Sequence, residues 1–145
     1  MLHILNEAWA TILINHLLND KKQMIMFVAK DESEADYYAN MFRDNVKILK
    51  KGNPNGDSLD GILWTETRKD KINHEVQTLC VDYDRRFSEQ FRLQVFVVTE
   101  KGINSGTWKT AFETLEQMDD ILISHDIHDV MLKDYLARHC KRKCC

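Results

Sequence analysis

Proline occurs once in this chain of 145 residues and glycine only five times. So few backbone breakers argue against flexible linkers and low-complexity sequence. Charge of one sign is missing too. Twenty Lys and Arg stand against 23 Asp and Glu, a formal net charge of −3, which argues against a protein that coats nucleic acid or anionic membrane by bulk charge. The longest apolar run near the start, Ala8 to Leu18, is interrupted by Asn15 and His16. It falls short of the roughly 20 residues a membrane span needs. No basic segment precedes it and no small-residue cleavage site follows, so no signal peptide is read and no membrane partner is expected.

Cysteine is scarce as well, at positions 80, 140, 144 and 145. The adjacent terminal pair does not form a disulfide framework, and a chain of this length can bury a core without one. The reading is a cytoplasmic protein with reduced thiols. The basic ending Lys-Arg-Lys-Cys-Cys is expected to be a frayed tail, residues 141–145, beyond a single domain over residues 1–140. Neighbouring Cys144 and Cys145 do not match the usual two-to-four-residue spacing of zinc ligands.

What is present is a core. Hydrophobic residues make up 43% of the chain, and their periods alternate along it. Leu5, Trp9, Ile12, Leu13 and Leu17 form one helical stripe. Met24 to Ala29 is a continuous apolar run, as expected for a strand covered on both faces. Asp31 or Ser33 then caps a helix with Ala35, Tyr38, Ala39 and Phe42 inward, and Val46 to Leu49 reads as a short strand. Lys51 to Gly61, holding Asn53-Pro-Asn-Gly-Asp57, reads as a surface turn, and Gly61 to Trp64 as a short strand. From Arg68 to Phe87 the apolar residues keep helical spacing, although Thr78 to Val81 reads equally well as a strand. Leu93 to Thr99 is the clearest central strand.

Ser105 is expected to cap a helix with Trp108, Ala111, Phe112 and Leu115 inward. Ile121 to Ile123 reads as a strand, and a last helix carries Ile127, Val130, Met131, Tyr135 and Leu136. Such alternation implies an α/β fold: one three-layer domain with a mainly parallel sheet and helices on both faces.

No motif forms a complete catalytic set. Gly102 to Thr110 follows a strand and opens a helix, as a phosphate-binding loop does. But Ile103 and Trp108 occupy the positions where such a loop needs glycine. His125-Asp126 and His128-Asp129 are two His-Asp pairs, a metal-ligand pattern in some phosphohydrolases, with helix capping as the competing reading. Cys80 lies on an apolar stripe and reads as a buried, inert thiol. No cofactor, metal or catalytic residue is assigned, and the chain is not expected to be an enzyme.

Taken in order, the segments resemble the second RecA-like lobe of superfamily 2 helicases and translocases. Leu5–Leu18, Met24–Ala29, Asp31–Arg43 and Val46–Leu49 follow that lobe's opening helix, strand, helix and strand. Val95-Phe-Val-Val-Thr-Glu-Lys-Gly-Ile103 resembles its motif V, with Thr99, Gly102 and Ile103 on matching positions and Asn104 where the family has Asp. Tyr135-Leu-Ala-Arg138-His-Cys-Lys141 resembles motif VI, with Arg138 and Lys141 at the arginine positions and Ala137 and Cys140 replacing Gln and Gly.

The family's ATP site lies between two lobes, so one lobe's worth of residues implies no hydrolysis. The resemblance implies a non-catalytic domain that binds nucleic acid or a nucleic-acid-processing complex. Thr99, Lys101, Gly102, Asn104, Arg138 and Lys141 are the expected contact residues. The alternative from the residues is a small protein-interaction module anchored by exposed aromatics such as Trp64, Tyr37 or Trp108. A metal-dependent phosphohydrolase built on His125, Asp126 and His128 is a third reading.

Overall fold

A computed structural model describes residues 1–5, 22–51, 62–73, 75–85 and 90–141. Within them the chain forms six strands: β1 (Leu2–Leu5), β2 (Lys22–Ala29), β3 (Ile62–Asn73), β4 (Val76–Arg85), β5 (Gln90–Thr99) and β6 (Asp120–Ser124). Three α-helices accompany them: α1 (Glu32–Lys51), α2 (Glu100–Ser105) and α3 (Val130–His139). The strands make one sheet in the order β1-β6-β2-β5-β4-β3. β1, β6, β2 and β5 run parallel, while β4 and β3 add an antiparallel hairpin at one edge. The architecture is α/β, with a mainly parallel sheet.

Apolar runs of strand length fill the middle of the sheet because both of its faces are covered. On one face Met26, Val28, Phe96, Val98, Ile121 and Ile123 join Ile103, Trp108, Phe112, Leu132 and Leu136 in one buried cluster. The other face carries α1. Phe27 stacks on Tyr38 at 6.1 Å between ring centroids, and the Gln77 side-chain amide donates to Asp36 at 2.6 Å. Asp31 caps α1, its Oδ1 accepting from the Glu34 N–H at 2.9 Å, and Ala35, Ala39 and Phe42 are buried as the spacing predicts. Helices therefore lie on both faces.

Several local expectations give way. Val46 to Leu49 is not a strand but the last part of α1. No glycine or proline separates it from the helix, so nothing stops propagation before Gly52. The helical spacing after Arg68 belongs to two antiparallel strands. Val76, Leu79 and Cys80 are all buried because β4 is covered on both faces, and burial on both faces removes the period-two signal.

Leu5 ends a strand paired with Ser124 instead of opening a helix; the rest of that stripe, and the tail from residue 142, lie outside the described residues. In place of the helix expected after Ser105 stand two 3-10 turns, Thr107–Thr110 and Leu115–Gln117, and Ser105 is the last residue of α2 instead of a cap. Gly106, at a φ of 79°, stops α2 in the left-handed conformation that glycine favours. Trp108, Phe112 and Leu115 still point inward. In α3 the inward residues are Leu132 and Leu136, whereas Val130 and Met131 are 75% and 83% exposed.

Candidate functional site

β2 and β5 are adjacent and parallel, with Ala29 opposite Thr99 at their carboxyl ends. Beyond Ala29 the chain turns to α1, on the Phe27 face. Beyond Thr99 it turns to α2, whose Ile103 joins the Met26 face. Neighbouring parallel strands whose exits diverge to opposite faces leave a crevice, and open α/β sheets take ligands there. A cavity of about 700 Å³ occupies this position, lined by Lys30, Asp31, Glu32, Glu75, Thr99, Lys101 and Thr107.

The side chains around it are tied to one another. Thr99, 2% exposed, caps α2: its Oγ1 accepts from the Gly102 N–H at 3.0 Å. The Thr99 N–H donates to the Glu75 carbonyl at 3.0 Å, fastening the start of β4 to the end of β5. The Thr107 hydroxyl donates to Glu75 Oε2 at 2.7 Å, and Lys101 Nζ approaches Glu75 Oε1 at 3.6 Å while its side chain stays 84% exposed. Lys30 Nζ donates to Asp126 Oδ2 at 3.2 Å. That hydrogen bond is the main reason the lysine titrates above, and the aspartate below, its ordinary range. Both side chains reach solvent, so water screens the pair and it adds little to stability.

Of the six residues expected to contact nucleic acid, Thr99, Lys101 and Gly102 gather at this edge. Gly102 is buried beneath Glu75. Asn104 is exposed but lines a different groove, between α2 and α3. Arg138 and Lys141 lie elsewhere. α3 starts beyond the carboxyl end of β6 and runs back toward the opposite edge, where the Lys141 N–H donates to the Met118 carbonyl at 2.9 Å. That is the level of Met24, five residues before Ala29, or roughly 16 Å along the sheet at about 3.3 Å per residue. Arg138 pairs with Asp134 at 3.1 Å and Lys141 with Asp119 at 3.6 Å.

The His-Asp pairs supply one helix cap and one exposed side-chain contact. Asp129 Oδ1 accepts from the Leu132 N–H at 3.1 Å as the N-cap of α3, and His125 meets Asp126 at 3.3 Å with both exposed. Among the described residues no three His, Cys, Asp or Glu side chains are grouped to hold a metal ion. Cys80 and Cys140 are free and buried. No helix among the described residues is long and apolar enough to cross a membrane.

Sequence reasoning missed Lys30 and Glu75. Glu75 carries no local signal, because its role depends on contacts with residues 99 to 107. Lys30 was legible as the residue after a central strand, a position where α/β folds place ligand-binding groups. No family model and no curated protein matches the chain.

Proposed function

We propose that the chain is a non-catalytic binding domain of RecA-lobe type that holds a nucleic-acid backbone at the carboxyl edge of its sheet. The observation that carries the reading is the crevice between the diverging exits of β2 and β5, with the ammonium groups of Lys30 and Lys101 on its lining. A strand ending in Thr99 and running into a helix at Gly102-Ile103 also agrees with the resemblance to motif V. Asp31, Glu32 and Glu75 share the crevice. A phosphate must therefore compete with carboxylates for the lysines, so binding is weak and confined to this small patch. Arg138 and Lys141, at the other edge, take no part.

Fluorescence anisotropy with a labelled oligouridylate tests the reading. Two phosphate contacts on a single strand give a fall of about 25-fold in affinity for a tenfold rise in salt. Lys101→Glu is expected to abolish binding and Arg138→Glu to leave it unchanged. Absence of binding at low salt, where phosphate contacts are strongest, overturns the proposal.

A further inference from the structure

Three of the six large apolar side chains exposed among the described residues sit on one short helix: Val130, Met131 and Tyr135, at 75%, 83% and 42%. Met131 and Tyr135 are four residues apart and share one side of α3. They border a groove of about 560 Å³ between α3 and the segment running from α2 into the 3-10 turn. Ile103, Trp108 and Leu132 line it as well, each 7% exposed and each part of the core cluster. The groove is thus floored by buried, packed side chains and flanked by exposed apolar ones, the arrangement that accepts an apolar face from another helix.

Charge chooses among occupants. Two side chains that carry a charge near neutral pH line the groove, Lys109 and Asp129. The Asp129 carboxylate is engaged at the amino end of α3, where its Oδ1 accepts the Leu132 N–H. Lys109 is exposed, its Nζ lies 5.6 Å from the Trp108 ring centroid, and it meets no carboxylate among the described residues. The groove therefore presents an apolar floor, a carboxylate already bound to the amino end of α3, and an unpaired cation on the rim.

We infer that this groove docks an amphipathic helix of a partner protein, with apolar residues against Met131, Tyr135 and the Trp108 edge and a carboxylate against Lys109. The surface is separate from the carboxyl-edge crevice and does not depend on nucleic-acid binding. A second copy of this chain is a poorer occupant, because the α3 face that would enter the groove carries Arg138 paired to Asp134 and has no free carboxylate to offer.

Two labelled peptides of about four helical turns, with the same leucine spacing and flanked by either glutamate or lysine, serve as probes. The glutamate peptide is expected to bind about tenfold more tightly than the lysine peptide, and Lys109→Glu to invert that order. Met131→Asp is expected to abolish binding while the thermal melt stays unchanged, since the side chain is 83% exposed. Equal affinity for both peptides, no binding of either, or unaltered binding by the Met131 variant overturns the inference. So does a concentration-dependent dimer in sedimentation that Met131→Asp dissolves, which assigns the face to self-association. Oligouridylate binding by the same variants is unaffected, so the two proposals fail independently.

Discussion

Glu75 lies directly over Gly102. A β-carbon added at Gly102 would stand 3.1 Å from both the Cβ and the carbonyl oxygen of Glu75, and 3.2 Å from a methyl of Val98. The carbonyl is held by the Thr99 N–H and Val98 is fully buried in β5, so neither neighbour is free to move aside. The glycine that resembles a nucleic-acid-binding motif is first a packing residue. It lets the start of β4 close over α2 and form one wall of the crevice.

Gly102→Ala sets two effects against each other. Alanine in a helix gains about 1 kcal/mol over glycine, while crowding in a tightly packed site costs roughly 1–3 kcal/mol. Because the crowded atoms include a fixed carbonyl, crowding wins, and urea unfolding should show a net loss of about 1 kcal/mol. A stabilised variant would show that Glu75 can yield.

Thr99→Val keeps the shape of the side chain and removes the oxygen that accepts from Gly102. Loss of a helix cap costs about 1 kcal/mol, and the buried Gly102 N–H is left without its partner. Thr99→Ser keeps the oxygen and should recover most of that loss in the same denaturation experiment. Equal stability of the Val and Ser variants contradicts the capping role.

The two sides of α3 should respond in opposite ways to truncation. Leu136 is fully buried, and Leu136→Ala is expected to cost about 2–5 kcal/mol. Met131→Ala, on the exposed side, should stay within about 0.5 kcal/mol of the parent. Comparable losses from both changes would mean the helix is rotated from the orientation described.

Tyr38 gives an alkaline signature. Burial of its ring, with Glu34 nearby, pushes the phenol up from 10.0 to about 12. An acid whose folded pKa is raised favours the folded state below its unfolded pKa, so this contribution is present below about pH 10 and is lost as pH climbs toward 12. Phenolate absorbance should show Tyr38 titrating late. Tyr38→Phe should remove that late titration together with part of the alkaline loss of stability.

The central strands were legible residue by residue. Met24–Ala29, Val95–Val98 and Ile121–Ile123 are apolar without interruption, and in a chain of this length only a sheet covered on both faces buries such runs. The Asp31 cap and the inward Ala35, Ala39 and Phe42 were readable for the same reason, because caps and helical stripes are local signals. Over the β3–β4 hairpin the sequence leaves helix and strand open at Thr78 to Val81, and the structure has the strand. Val76, Leu79 and Cys80 are spaced as in a helix, and pairing with β5, a non-local contact, decides that they form a strand. The break at Gly106 was a local signal passed over in favour of the Trp108 and Phe112 spacing.

For the site, the chain alone pointed to Thr99, Lys101 and Gly102, since the residues after a central strand are placed by that strand. It could not sort Asn104, Arg138 and Lys141, because the direction of α3 carries the last two to the far edge of the sheet. Glu75 entered only through tertiary contacts, whereas Lys30, directly after the central strand β2, carries the same local signal as Thr99 and Lys101. The apolar and capping patterns determine which segments become strands and helices. Which charged side chains share a cavity depends on strand order and helix direction, set by packing between residues far apart along the chain.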